Sequence, residues 1–317
     1  MSRPDREIPP LYTPLERVDG VWVKMEYRNP SGSVKDRVAR YLLSGEGAIP
    51  RLTGVREVVE PTSGNAGIAL AYWSARFGFD AVIFMPENMS EERKTIIRGH
   101  GARLVLTPEK DGVVGSIHRA REYAAERSDR LLFDQFNDEA GVEAQALLGR
   151  EIHGQARDAG IDHFDVIVAG VGTGGTLIGA GGYLKKHHPD TRLIAVEPDE
   201  SPLVCRKLFP SCATIGVSSG LHNIPLAVCH LQEGIGDGLV PGIIQRHRNL
   251  LSDAVLVADT EALEETRRIN RAGYPVGPSS GTNLAVARRL AAEGVSVLTF
   301  FPDSIDRYRS LPEFRDL

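Results

Sequence analysis

Short apolar runs alternate with helical patterns along most of this 317-residue chain, and that alternation limits the folds open to it. Near-continuous Val/Ile runs are typical of strands that helices bury on both faces. Strand–helix alternation favours right-handed crossovers and parallel sheets. We therefore predict an α/β fold with parallel-rich twisted sheets flanked by helices. The predicted strands are 21–26, 57–60, 81–85, 103–106, 131–133, 165–169, 193–197, 254–258 and 296–301. The predicted helices are 66–77, 113–125, 139–157, 177–187, 261–272 and 283–292.

Length, composition and charge exclude several classes of protein. The length suggests one large or two medium domains, and 42% hydrophobic with 25% charged residues is ordinary for a globular protein. A net charge of −5 means that the chain has no excess of basic residues for binding nucleic acid. No apolar run is long enough for a bilayer, and the first residues lack the apolar core of a signal peptide. We expect no nucleic acid or membrane partner.

The segment 201–242 interrupts the strand–helix rhythm and contains all three cysteines of the chain, Cys205, Cys212 and Cys229. An odd number of cysteines argues against a disulfide framework and fits a reducing cytoplasm. Cysteines together with His222 and His230 could bind zinc. No Cys-x-x-Cys pair is present, so we predict no metal. We interpret 201–242 as a long ordered loop region, where function often resides.

Lys35 stands at a junction that favours unusual lysine chemistry. It follows a Gly/Ser turn in the run Asn-Pro-Ser-Gly-Ser-Val-Lys-Asp-Arg and opens an amphipathic stretch, 38–43. Burial lowers the pKa of a lysine and frees its amine as a nucleophile, which is the chemistry of Schiff bases. Taken alone, Lys35 is more simply read as a surface lysine of a first helical turn, paired with Asp36 or a neighbour.

Two glycine-rich loops each follow a predicted strand and open a predicted helix. The first is Glu-Pro-Thr-Ser-Gly-Asn-Ala-Gly at 60–67, and the second is Ala-Gly-Val-Gly-Thr-Gly-Gly-Thr at 169–176. Helix N-termini present unpaired N–H groups, and glycines let an anion approach the backbone closely. The second loop has neither the Lys-Ser/Thr ending of a P-loop nor the spacing G-x-G-x-x-G. Either loop, judged alone, could be a tight turn that binds nothing.

Together these motifs closely resemble the cysteine synthase/cystathionine β-synthase family, enzymes of fold type II that use pyridoxal 5′-phosphate (PLP). The similarity extends in family order over nearly the whole chain. Beyond the three motifs it includes 13–15, 85–90, 135–136, 196–198, 277–281 and 302–303. The resemblance implies a fold like that of the tryptophan synthase β subunit and a homodimer.

The resemblance also implies roles for particular residues. Lys35 would hold PLP as a Schiff base and act as the catalytic base. The remaining cofactor-binding residues would be Gly172, Thr173, Gly174, Gly175 and Thr176 on the phosphate, Asn65 on the 3′-oxygen and Ser279 at the pyridine nitrogen. Thr62, Ser63, Asn65 and Gln135 would bind the substrate carboxylate. Residues 216–220 repeat the Gly-x-Ser-Ser-Gly pattern of 277–281, and we prefer the later copy because a helix follows it directly.

The implied reaction is β-replacement on an O-activated L-serine, either O-acetyl-L-serine or O-phospho-L-serine, through an α-aminoacrylate intermediate. A serine hydroxyl at the ring nitrogen makes PLP a weaker electron sink than a carboxylate would, which favours β-elimination over transamination. Sulfide as the nucleophile would give L-cysteine. Another nucleophile would give cystathionine or a diaminopropionate-type amino acid.

Two further functions are possible for a chain of this kind, and the motifs that are present or missing disfavour both. A non-catalytic paralogue would not need Lys35, Asn65 and Ser279. A dinucleotide-binding oxidoreductase would need the missing G-x-G-x-x-G motif.

The chain departs from the family pattern in two places. The family's Thr-Gly-Pro-Glu appears as Leu-Gly-Arg-Glu at 148–151, where we interpret Arg150 as a solvated helix charge. The segment 201–242 is also unusual. We expect its glycine loop, 234–238, at the mouth of the active site, with Arg206, Lys207 and His222 as candidate partners of an anionic leaving group.

We predict two domains. Residues 1–37 and 141–317 would form a larger domain that binds the PLP phosphate. Residues 38–140 would form a smaller domain that closes over the substrate when the loop 62–65 binds its carboxylate.

Overall fold

The computed structural model describes residues 10–45, 52–216 and 230–317, which form two sheets covered by helices. The larger sheet has seven strands in the order β1-β2-β11-β7-β8-β10-β9. Every neighbouring pair in it is parallel except β1 and β2, which are antiparallel. Its strands are β1 Leu15–Val18, β2 Val21–Lys24, β7 Val166–Gly170, β8 Arg192–Pro198, β9 Ala213–Ile215, β10 Asp253–Val257 and β11 Val297–Phe300.

The smaller sheet is parallel throughout and has four strands in the order β5-β4-β3-β6. Its strands are β3 Glu57–Pro61, β4 Asp80–Pro86, β5 Arg103–Thr107 and β6 Arg130–Leu132. Because β3 and β4 lie in the middle of the sheet, helices cover both their faces, and nearly all their residues are buried. The alternating pattern therefore predicted the fold class correctly.

Ten α-helices connect and cover the strands of the described residues. They are α1 Lys35–Ser44, α2 Asn65–Phe77, α3 Glu91–Gly99, α4 Gly112–Ala125, α5 Glu139–Asp158, α6 Gly182–His187, α7 Leu203–Leu208, α8 Gly242–Arg246, α9 Asp259–Arg271 and α10 Pro278–Ala292. A π-helical turn, Leu177–Gly181, precedes α6. The predicted helix 177–187 is thus present, but its first part is wider than an α-helix. None of the helices in the described part of the chain is long and apolar enough to span a membrane.

Two sides of helix α1 pack against two different parts of the structure. Ala39 and Leu43 pack into the core of α2 and the smaller sheet, whereas Val38 and Leu42 pack with Phe133 and the first turns of α5. Because two sides of α1 pack against different groups of residues, its first residue, Lys35, lies between the two sheets. The predicted division into two domains at 38–140 stays a prediction, although all four strands of the smaller sheet fall within that range.

The structure corrects two expectations about the segment 201–242. Its described part is not a continuous loop, because it contains α7 and the edge strand β9. Cys205 and Cys212 form a disulfide with a Cα–Cα distance of 6.1 Å, although the odd number of cysteines argued against one. Parity gives no information about one local pair, and a helix followed by a turn brings residues seven positions apart together. Cys229 and His222 lie outside the described residues.

Candidate active site

The predicted site residues come together where strands of both sheets end. The strands β3 and β6 of the smaller sheet end just before Thr62 and Gln135, and β7 of the larger sheet ends at the second glycine loop. Parallel strands expose their carboxyl ends at one edge, and ligands of α/β proteins bind there. The same cavity is lined by Lys35, Thr62–Ala66, Gln135, Gly172 and Thr173.

Lys35 is the first residue of α1, and the turn before it is fixed by hydrogen bonds. Ser31 donates to the Asp36 carboxylate from both its backbone N–H and its hydroxyl, and the Trp73 indole donates to Asp36 at 2.7 Å. Asp36 is therefore occupied and does not pair with Lys35. The alternative of a surface lysine paired with Asp36 is wrong for this structure.

The Lys35 amine points into the cavity. Its Nζ donates to Gln135 Oε1 at 3.1 Å and to Thr173 Oγ1 at 3.4 Å. Burial lowers the pKa of Lys35, and the nearby carboxyls of Asp237 and Glu60 oppose that shift without cancelling it. The amine is thus more readily neutral than an ordinary lysine, as the sequence predicted.

The first glycine loop is held mainly by its side chains. Gly64 N–H donates to Thr62 Oγ1 at 2.9 Å, and Ser63 Oγ donates to Asp237 Oδ1 at 3.2 Å. Asn65 Nδ2 donates to Asp303 Oδ2 at 2.5 Å, while Asn65 Oδ1 is buried without a partner. An unpaired buried amide oxygen beside Lys35 is suited to a ligand that carries a hydrogen-bond donor.

The second glycine loop is packed through its backbone. Gly174 has φ +81°, and a Cβ there would lie 2.5 Å from the Ile244 side chain. A Cβ on Gly172 would lie 2.8 Å from the Gly234 carbonyl oxygen. Gly175 N–H donates to Thr173 Oγ1 at 3.3 Å, and both residues line a neighbouring cavity with Thr176 and Lys35. Only glycine therefore fits at 172 and 174, where the backbone lies close to Gly234 and Ile244.

Ser279 lies in the first turn of α10 and is 2% exposed. A Cβ on Gly234 would be 3.9 Å from both Ser279 Oγ and Asn65 Nδ2, so these two side chains reach the same part of the site. The later copy of the Gly-x-Ser-Ser-Gly pattern is therefore at the site. Residues 217–220 of the earlier copy lie outside the described residues.

Gln135 lines the cavity, and its amide is hydrogen-bonded within the protein. It accepts from Lys35, and its Nε2 donates to Glu60 Oε1 at 2.6 Å and to Pro61 O at 3.3 Å. Burial raises the pKa of Glu60 well above its usual range, and Lys35 opposes that shift. The amide of Gln135 is fully engaged here, so its carboxylate-binding role stays a prediction that requires rearrangement.

Sequence reasoning missed four acidic or aromatic groups at the site. Asp237 lines the cavity, and burial raises the pKa of its carboxyl. Asp303 bridges Asn65 and the Tyr308 hydroxyl, with its pKa raised by burial. Glu60 lies beneath Lys35. The loop 234–238 was predicted at the mouth of the site, and that placement is what could have singled out Asp237.

The candidate residues of α7 do not reach this cavity. Arg206 and Lys207 are exposed, and Lys207 Nζ donates to Gln245 Oε1 at 2.8 Å. Their predicted contact with an anionic leaving group is not supported, because α7 lies on the outer face of β8 and β10. His222 is outside the described residues. Arg150 is exposed on α5, as predicted.

Comparison with known proteins defines the class to which this fold and site belong. Residues 8–303 match the family model for the pyridoxal-phosphate dependent enzymes, and the chain belongs to that family. It is 36% identical over 299 residues to a cysteine synthase of Staphylococcus aureus, covering 92% of this chain and 88% of that relative.

Solved structures show the same similarity. An O-acetylserine dependent cystathionine β-synthase from Helicobacter pylori has a TM-score of 0.78 and 34% identity, covering 92% of this chain and 88% of that one. A hydrogen sulfide-producing enzyme from Fusobacterium nucleatum has a TM-score of 0.81 and 33% identity, covering 93% of this chain and 84% of that one. The chain is a PLP-dependent, cysteine synthase-like enzyme, which confirms the predicted family, fold and cofactor.

The residues at the site fit PLP. A lysine amine whose pKa burial lowers is available for its aldehyde, and a glycine cradle of backbone amides can take its phosphate. The Asn65 amide and the buried Ser279 hydroxyl lie in the same part of the site, where they can face the polar atoms of its ring. These assignments of individual residues stay predictions, and the geometry is compatible with each of them.

Proposed function

We propose that this enzyme makes L-cysteine by replacing the β-substituent of O-acetyl-L-serine or O-phospho-L-serine with sulfide. The observation that carries the proposal is the position of the Lys35 amine, between the glycine cradle at Thr173 and the loop that begins at Thr62. The cysteine synthase similarity over 92% of the chain supports the choice of reaction.

Bound PLP supplies an electron sink that lets the amino acid lose its Cα proton and then its β-substituent. Lys35 Nζ is the group that accepts the Cα proton. Burial lowers the pKa of this amine, so a larger fraction is neutral and able to act as a base near neutral pH. The flanking acceptors, Gln135 Oε1 and Thr173 Oγ1, hold Nζ in one place between steps.

The N-terminus of α2 is the site proposed for the substrate carboxylate. The loop 62–65 presents hydroxyls and backbone N–H groups at the start of a 13-residue helix, whose dipole favours an anion. Burial raises the pKa of Glu60, which favours its neutral form and removes a charge that would repel the carboxylate. Carboxylate binding would draw the smaller sheet toward the larger one and exclude water from the reacting carbon.

The experiment pairs donors with nucleophiles on the purified PLP-loaded enzyme. Cysteine formation is measured from O-acetylserine, O-phosphoserine and L-serine with sulfide, while the visible absorbance of the cofactor reports donor binding. We expect an absorbance change and cysteine formation with at least one O-activated serine, and much less with L-serine. No cysteine from either activated donor would reject the proposal.

A second candidate, the use of a protonated nucleophile, is favoured by Asp237. Its buried carboxyl has a raised pKa, lies in the cavity and accepts a hydrogen bond from Ser63. Such a carboxylate can remove the proton of a thiol, an amine or water as it attacks Cβ. Thiol and amine nucleophiles would give cystathionine or a diaminopropionate-type product. The H. pylori and F. nucleatum relatives show that activities beyond cysteine synthesis occur on closely similar folds.

Asp237→Asn separates the two candidates. Sulfide is largely the HS⁻ anion at mildly alkaline pH and needs no base, so its rate should change little. Reactions with a thiol or water should fall by roughly 10²–10⁴-fold if Asp237 is the general base. Equal losses with sulfide and with protonated nucleophiles would remove the second candidate and leave Asp237 a structural role.

We also propose a homodimer in the cytoplasm. Both are expectations from the family and from the composition, and sedimentation of the purified enzyme tests the first. A monomer at micromolar concentration would contradict it.

A further inference from the structure

Four of the nine histidines gather near the amino ends of β7 and β8, whereas the active site lies at the carboxyl end of β7. His153 lies in the second half of α5, His163 lies between α5 and β7, and His187 and His188 end α6. The ring centroids of His153 and His187 are 4.5 Å apart, and those of His163 and His188 are 5.4 Å apart. Three separate parts of the chain thus bring imidazoles to one place.

The histidine cluster, which we define as Asp162, His163 and His188, has the geometry of a metal site. Each residue offers one ligand atom, and these atoms all lie within 4.8 Å of one another. A tetrahedral zinc ion holds such atoms about 3.3 Å apart. Asp162 and His163 are exposed and His188 is half-buried, so small side-chain rotations can supply the difference.

A fixed carboxylate orients one of the imidazoles. His163 Nε2 lies 3.2 Å from Asp165 Oδ1, and Asp165 Oδ2 accepts from Ser296 N–H at 2.6 Å. Metal-binding histidines almost always donate their second ring N–H to such a carboxylate. His163 Nδ1 lies 2.9 Å from Asp162 Oδ2, so a ring that keeps its proton on Nε2 can direct the Nδ1 lone pair to a cation shared with that carboxylate. A cation between these two acceptors would remove their repulsion.

The cluster also borders a small cavity with an apolar floor. His153, Asp162, His163 and His188 line it together with buried side chains of the larger core, among them Phe164, Ile167 and Leu184. Such a floor fixes the backbone under the ligands and limits water on one side. The His153 ring centroid lies 6.4 Å from that of His188, outside the group of three ligand atoms.

We propose that Asp162, His163 and His188 bind a divalent transition-metal ion, with zinc as the ion expected for two imidazoles and one carboxylate. Asp165 is a positioning residue for His163. The site is remote from Lys35 and takes no part in the reaction. It ties the end of α6 to the loop before β7, and α6 continues the π-helical turn that follows the glycine cradle. Metal binding therefore stabilises the part of the fold that supports the cradle.

The alternative is a metal-free cluster in which a protonated His163 bridges Asp162 and Asp165. Zinc titration of the PLP-loaded enzyme, with any histidine tag removed, distinguishes the two by calorimetry. We expect one equivalent of Zn²⁺ to bind and to raise the melting temperature. A crystal soaked in zinc should show an anomalous peak between His163, His188 and Asp162.

Variants locate the binding. His163→Ala and His188→Ala should each abolish the calorimetric signal and the rise in melting temperature, and Asp165→Asn should weaken zinc affinity by roughly 10–100-fold. His118→Ala, which removes an exposed histidine on α4, is the matched control and should bind zinc like the wild type. The proposal is overturned if zinc does not bind at millimolar concentration, or if it binds equally well to the His163→Ala and His188→Ala variants.

Discussion

The two glycine loops look alike in sequence but are held in different ways. The loop at 62–65 is fixed by side-chain hydrogen bonds to Asp237 and Asp303, which belong to other parts of the chain. The loop at 170–176 is fixed by backbone packing, because Gly172 and Gly174 have no room for a Cβ. Side-chain hydrogen bonds can be exchanged for bonds to a ligand, whereas close backbone packing cannot. The first loop is therefore suited to moving with the substrate and the second to holding a permanent cofactor.

The largest expected effect concerns Lys35, whose amine lies between the two loops. Lys35→Ala should abolish turnover, because it removes both the Schiff base and the base for the Cα proton. PLP should still bind weakly through the second loop, so the absorbance should be that of free rather than lysine-bound cofactor. Lys110→Ala, at an exposed position in the turn before α4, is the control and should keep normal activity. Substantial activity in Lys35→Ala would contradict the assignment.

Two alanine substitutions test whether backbone packing fixes the second loop. Gly174→Ala forces a side chain to φ +81° and to within 2.5 Å of Ile244, so it should lower the free energy of unfolding of the cofactor-free enzyme by about 1–3 kcal/mol. Gly175→Ala is the matched control, because its Cβ would have no neighbour closer than 3.5 Å. Urea denaturation measures both. Similar stability of the two variants would show that the loop can relax.

Hydrogen exchange tests whether only the first loop responds to substrate. Addition of an unreactive amino acid to the PLP-loaded enzyme should slow amide exchange at Ser63 and Asn65, because the substrate carboxylate is proposed to accept from their N–H groups as the smaller sheet closes. Exchange at 172–176 should stay nearly unchanged. A control ligand without a carboxylate should have no effect on either loop. Equal slowing of amide exchange in both loops would show that the two loops do not differ in their response to substrate.

The smallest expected effect is a change in how the free energy of unfolding depends on pH. It is caused by Glu200, which lies near the loop that carries Asp237. Burial, and then the neighbouring Asp259, raise the pKa of Glu200 to about 7, and Glu200 Oε2 is buried without a partner. Because the folded-state pKa lies above the ordinary value of 4.5, the stabilising proton is lost as pH rises through about 7.

Wild-type stability should therefore fall between pH 5 and pH 8. Glu200→Gln should fall less over the same range. Burial also raises the pKa of Glu197 to about 7. Glu197 should therefore keep part of the pH dependence of stability in the Glu200→Gln variant. Thermal melts at several pH values measure the difference. An unchanged slope in Glu200→Gln would show that Glu200 does not titrate in this range.

The sequence by itself determined the local structure and the family. Apolar periodicity located the nine predicted strands and five of the six predicted helices within two residues, whereas the helix predicted at 283–292 begins five residues after α10 does. Burial between helices demands continuous Val/Ile runs in strands, which is why the buried strands were found. The patterns did not predict β1, β9, α3, α7 or α8. Glycines followed by helical patterns indicated both loops, because the backbone conformation of such a turn depends on neighbouring residues in the sequence. The family resemblance of the motifs was enough to predict Lys35 as the reactive amine.

Tertiary structure alone decided which groups meet around that amine. Gln135 and Asp237 lie 100 or more positions from Lys35, and no local pattern reveals that one accepts its hydrogen bond while the other raises its pKa. The pairing of Cys205 with Cys212 and the meeting of His163 with His188 depend on how helices pack against the larger sheet. Contacts between distant segments come from packing geometry, which is set by the whole fold rather than by neighbouring residues.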